Sequence, residues 1–84
     1  MTQNNTFNVF AGRSQNRRSM KRFQAFNSQS AASAITMAQA QWIADAMAKG
    51  TDAPQKVTMS GNELHIEYAG GLFVETVFFA ATEV

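Results

Sequence analysis

Ser28-Gln29-Ser30-Ala31-Ala32-Ser33-Ala34-Ile35-Thr36-Met37-Ala38-Gln39-Ala40-Gln41-Trp42-Ile43 opens the segment that decides the fold. Residues 29–48 hold eight alanines and neither Gly nor Pro. Alanine has the highest intrinsic helix propensity, so this run predicts a helix. At 100° per residue, Ala31, Ile35, Ala38, Trp42 and Ala46 fall on one stripe, with Ile43 beside it. Ser28 is the expected N-cap, because its hydroxyl can accept from the free amides of the first turn. Gly50 stands where a left-handed residue ends a helix, and Pro54 follows. The small residues of the stripe imply close approach to a sheet, with Ile35 and Trp42 as the large contacts. Met37 and Met47 lie off the stripe, and partial burial under loops is expected for them.

On either side of this segment the apolar period is two. Phe7 to Ala11 and Met20 to Phe26 read as strands of a hairpin, with Phe7 and Val9 on one face. In the second strand, strict alternation puts Phe23 and Ala25 opposite Arg22, Gln24 and Phe26. Residues 1–6 are a polar lead-in expected to fray, and 12–19 are expected to form a mobile loop. After Pro54, Lys56 to Ser60 is a strand with Val57 and Met59 inward. Ser60-Gly61-Asn62 makes a turn. Leu64, Ile66 and Tyr68 alternate with Glu63, His65 and Glu67, the pattern of a half-buried antiparallel strand. Ala69-Gly70-Gly71 makes a second turn. Leu72 to Ala80 is apolar on both faces, which suits a central strand or an interface.

The expected order is ββαβββ: an α+β two-layer sandwich, one Ala-rich helix on an antiparallel sheet, in one domain over residues 1–84. One helix cannot cover five strands. The other face must be polar, wrapped by the hairpin, or buried in a partner, a homodimer included; Phe10, Phe26, Phe73 and Phe79 are candidates for it. A chain of 84 residues buries only about 60–65% of its unfolded surface. It has no cysteine, so apolar packing must hold it, and seven Phe, one Trp and five Met supply the material. No segment approaches the ~20 apolar residues that span a bilayer, and the polar start lacks signal-peptide order. The expected location is the cytoplasm, with no membrane partner.

Charge is segregated along the chain. The first 44 residues carry Arg13, Arg17, Arg18, Lys21 and Arg22 and no acid, so +5. The last 40 carry Lys49 and Lys56 against Asp45, Asp52, Glu63, Glu67, Glu75 and Glu83, so 2 − 6 = −4. The sum of +1 hides a polarity that can steer the protein toward a charged partner. Arg13, Arg17, Arg18, Lys21 and Arg22 are therefore the candidate partner-binding residues. Guanidinium forks bind phosphate or carboxylate bidentately, and Phe23 and Phe26 nearby could stack on bases. An acidic protein surface would suit the same segment, and so would plain solvation. Four glutamates, Glu63, Glu67, Glu75 and Glu83, suggest an acidic sheet surface or an ordinary solvated face.

Chemistry has little to work with. Glu63, His65 and Glu67 share a strand face as potential metal ligands, but this is the only His and no second segment completes a shell. No Gly-rich loop joins a strand to a helix as phosphate cradles require. The reading is a non-enzymatic chain with no catalytic residues, no metal and no cofactor.

Arg22-Phe23-Gln24-Ala25-Phe26-Asn27-Ser28-Gln29-Ser30-Ala31-Ala32-Ser33-Ala34, a strand, a small polar cap and an Ala-rich helix, resembles small phage-encoded inhibitors. Anti-CRISPR proteins and phage inhibitors of host RNA polymerase are the examples. The stretch covers about a sixth of the chain, and the resemblance is one of size and architecture. It implies a binding protein that blocks a host protein or ribonucleoprotein complex in the host cytoplasm. It transfers no functional residue. The alternative is a small module that contacts DNA or RNA directly through the basic loop 13–22.

Overall fold

A computed structural model describes residues 4–48, 54–68 and 74–84. The turn at Ala69-Gly70-Gly71, the Gly50 cap and the side chain of Phe73 lie outside the described residues. The elements are β1 (Asn5–Gly12), a 3₁₀ turn (Arg17–Ser19), β2 (Lys21–Ser28), α1 (Ala31–Ala48), β3 (Pro54–Ser60), β4 (Glu63–Tyr68) and β5 (Val74–Glu83). The five strands form one antiparallel sheet in the order β2-β1-β5-β4-β3. This is the α+β two-layer arrangement expected from the sequence. The hairpin β1–β2 joins the meander through β1 and β5, so the strand that is apolar on both faces is the central one.

Helix-facing residues form the core: Phe7, Val9 and Ala11 of β1, Phe26 of β2, Leu64 and Ile66 of β4, and Val77 and Phe79 of β5. Ala34 and Ala38 meet them from α1 and are fully buried, which lets the helix approach the sheet closely. Ile35, Trp42 and Ile43 pack around that contact. The buried stripe therefore centres on Ala34 and Ala38; Ala31, placed on it by the wheel, is exposed. Phe26 and Phe79, expected as candidates for the far face, belong to this core instead. Phe10 does lie on the far face, with Phe78, on adjacent strands.

Several local readings are corrected. β1 starts at Asn5, because Val84 N–H donates to Thr6 C=O at 2.9 Å and ties the start of the strand to the end of the chain. The N-cap of α1 is Ser30, not Ser28. Ser30 Oγ accepts from Ser33 N–H at 3.1 Å, and its carbonyl accepts from Ala34 N–H at 3.0 Å. Ser28 ends β2 and is buried. Ser30→Ala should cost about 1 kcal/mol while Ser28→Ala leaves helix capping untouched. A urea melt of the two variants, with helix content followed by circular dichroism, checks this.

In β2, Val9 pairs with Gln24 and Phe10 with Arg22, which leaves Phe23 as the extra residue of a β-bulge. The bulge breaks the alternation and brings Phe23 to the helix side. There its ring lies 6.4 Å from Phe26 and 5.4 Å from Trp42. Val57 and Met59 are not inward in the sense expected. They sit on the helix-side face of β3, but β3 is an edge strand that α1 meets only in part, and they are 37% and 52% exposed. Met37 and Met47 are exposed rather than covered by loops.

The β3–β4 turn is as tight as the sequence suggests. Gly61 has φ +59° and Asn62 does not share that region, the pattern of a type II′ hairpin. Two side chains lock it in place. Gln39, on the helix and 2% exposed, donates from Nε2 to the carbonyls of Gly61 and Glu63 at 3.2 and 3.5 Å. Asn62 Nδ2 donates to Phe79 C=O at 3.2 Å, and Phe79 N–H donates to Asn62 C=O at 2.8 Å.

Candidate functional site

The connection between β1 and β2 carries the basic residues, and it has internal order. Asn16 N–H donates to Ser14 Oγ at 3.2 Å, and Asn16 Oδ1 accepts from Arg18 N–H at 3.1 Å. Ser19 N–H and Met20 N–H close the 3₁₀ turn onto Asn16 C=O and Arg17 C=O. Met20 anchors the end of the connection in a buried position. It passes so close to Gly12 that a Cβ there would lie 3.1 Å from Met20 Cα and 3.2 Å from Ser19 O. A side chain at position 12 would have to push this backbone away, which is why glycine sits there.

The five basic side chains divide by what they touch. Arg13 reaches the helix side of the sheet and forms an ion pair with Glu75. Arg17 lies on the other side, its guanidinium carbon 3.5 Å from the centroid of the Phe10 ring, in cation–π contact. Arg22 donates from Nη2 to Asn8 Oδ1 at 3.3 Å. The side chains of Arg18 and Lys21 are exposed and make no hydrogen bond or ion pair with the described residues. Stacking and an amide contact leave the charges of Arg17 and Arg22 uncompensated beside the open face of the sheet, Arg18 is exposed on the connection, and Lys21, paired with the core residue Ala11, is exposed on the helix side of β2.

That open face is mixed rather than uniformly apolar. Phe10, Phe78 and Ala80 form a half-buried patch on the central strands β1 and β5. Arg22 and Asn8 border it on one flank, Thr76 and His65 on the other. His65 Nδ1 lies 3.0 Å from Thr76 Oγ1. Glu63, His65 and Glu67 do share this face. No three potential metal ligands come together among the described residues.

Glu75 is the residue that sequence reasoning placed wrongly. It does not belong to an acidic solvated surface. It faces α1 from β5 and is 7% exposed. Its Oε1 accepts from Trp42 Nε1 at 3.3 Å and from Tyr68 Oη at 3.0 Å, while Oε2 meets Arg13. A buried carboxylate is tolerated because neutral donors and a cation satisfy it. The only hint in the sequence was parity: Glu75 shares its face with Val77 and Phe79.

No family model, curated protein or solved structure matches this chain. No described helix is long and apolar enough to cross a membrane.

Proposed function

We propose that this chain is a non-enzymatic binding protein of the phage or mobile-element inhibitor type. It blocks a nucleic-acid-handling complex of the host cytoplasm, such as a CRISPR effector, by occupying a surface. The observation that carries the reading is the stacking of Arg17 on Phe10. It folds the basic connection against the open face, so that cations and half-buried aromatics form one surface not covered by the helix. Such a surface suits a partner that displays phosphates or carboxylates around an apolar patch. The phage or mobile-element assignment rests on the resemblance in size and architecture.

Arg18 and Arg22 are the residues to remove first, because Arg18 supports nothing within the described fold and Arg22, beside Phe10 on the open face, makes only an exposed hydrogen bond to Asn8. Arg18→Ala/Arg22→Ala should melt within a few degrees of wild type, since exposed substitutions usually stay within about ±0.5 kcal/mol. The same variant should lose most of its capture of a target from nuclease-treated bacterial lysate. Unchanged capture would remove the basic connection from the interface.

Phe10 and Phe78, on adjacent central strands beside cationic side chains, favour one second reading: direct contact with single-stranded nucleic acid, whose bases stack on aromatics. Capture would then vanish with nuclease, and affinity would fall steeply with salt. A second copy of the chain is the third occupant this face admits, and sedimentation at micromolar concentration tells it apart.

A further inference from the structure

On the opposite, helix-covered side of the sheet lies a cavity of about 360 Å³ between the second half of α1 and strands β4 and β5. We infer that it is a binding site for an organic cation, an alkylammonium or a guanidinium group. Phe23 and Trp42 stand side by side in its lining, their rings packed together with centroids 5.4 Å apart and planes inclined at 48°. Tyr68 lines a further side. Glu75 is buried in the lining and Asp45 is exposed at its edge. Aromatic faces combined with carboxylates are the chemistry that recognises such cations: the ring quadrupoles attract the charge, and the ring carbons cover its apolar surface.

The charge of the site points the same way. Its ionisable residues are Arg13, Asp45 and Glu75, so +1 − 2 = −1. With Arg13 swung out the sum is −2, so the site attracts a cation whether Arg13 is seated or displaced. Asp45 Oδ1 accepts from Gln41 Nε2 at 2.8 Å, a neutral donor, and no cation pairs with Asp45 among the described residues. Glu75 also accepts from Trp42 and Tyr68 through its other oxygen, so Arg13 is not its only partner. Arg13 itself is the internal precedent: a guanidinium already seated on Glu75, with a side chain 66% exposed. It comes from the exposed connection and not from the framework, so an incoming cation can displace it. Arg13 thus acts as a tethered competitor of the ligand. The site stands apart from the open face and does not depend on the function proposed for it.

Trp42 is the only tryptophan, so its emission reports on the cavity directly. Tetramethylammonium and methylguanidinium chloride should change that emission saturably, with Kd on the order of 1 mM for ligands this small. tert-Butyl alcohol, a neutral mimic of tetramethylammonium, should not. Asp45→Asn should weaken binding about threefold, as removal of a rim charge does. Arg13→Ala should tighten it about tenfold if Arg13 keeps nine-tenths of the sites closed. The cations should also raise the melting temperature of Arg13→Ala more than that of wild type. Blocked lysine, trimethyllysine and arginine form the other arm: tighter binding than the free cations assigns the site to a partner's side chain, and weaker binding to a free small amine. Equal responses to tert-butyl alcohol, no saturation up to about 50 mM in wild type and Arg13→Ala alike, or unchanged affinity in both variants overturns the inference.

Discussion

Phe79→Ala is expected to remove about half or more of this protein's stability. Phe79 is fully buried on the central strand, facing the helix, with the Trp42 ring edge-on at 5.9 Å. Its removal loses the transfer free energy of the ring and leaves a cavity that a sheet paired on both sides cannot close. The cost is about 4 kcal/mol, a large part of the ~5–10 kcal/mol that a small domain has. Phe78→Ala is the internal control. Its neighbour in sequence points to the open face, where truncation should cost about 1 kcal/mol or less. Urea titrations of the two variants, read at equal slopes, give the comparison. Equal losses would mean that the two faces of β5 are equally buried, and the open face would not be open.

The second large effect is at Trp42. The ring joins Phe23 to Phe79, and its Nε1 donates to the buried Glu75. Trp42→Ala removes both contacts and one of the three partners of a buried carboxylate. We expect a loss of about 3 kcal/mol, below the full core value because the side chain is only partly buried. For a domain of this size that lowers Tm by roughly 12–24 °C. Trp42→Phe keeps the ring packing and forfeits the donor, so it should cost about 1–2 kcal/mol. Differential scanning calorimetry separates the cases. A shift of Trp42→Ala below about 5 °C would mean that the ring bridges nothing of consequence.

The two halves of the charge pattern turn out to have different uses. Part of the segregation is spent inside the molecule: Arg13 from the basic segment meets Glu75 from the acidic one. The rest stays on the surface at Arg17, Arg18, Lys21 and Arg22. Composition alone could not separate them. Ion pairing depends on which side of the sheet each residue of the connection reaches, and Gly12 and the Asn16-capped turn set that.

By itself the sequence determined the class of fold. The Ala-rich run from 29 to 48, free of Gly and Pro, dictated a helix with a small-residue face, and period-two segments on either side dictated strands. It also marked Leu72–Ala80, apolar on both faces, as suited to a central strand or an interface. These properties are local, so a one-dimensional pattern contains them. Tertiary structure alone decided the rest. The bulge at Phe23 shifts one side chain across the sheet, and periodicity cannot see an inserted residue without its pairing partner. The outer position of β3 exposes Val57 and Met59, because coverage depends on how far one helix reaches across five strands. Glu75 and Gln39 are polar in sequence and buried in space, because donors and acceptors 7 to 62 residues away satisfy them. Burial of a polar group is settled by its partners, and partners that distant in the chain meet only when the sheet closes against the helix.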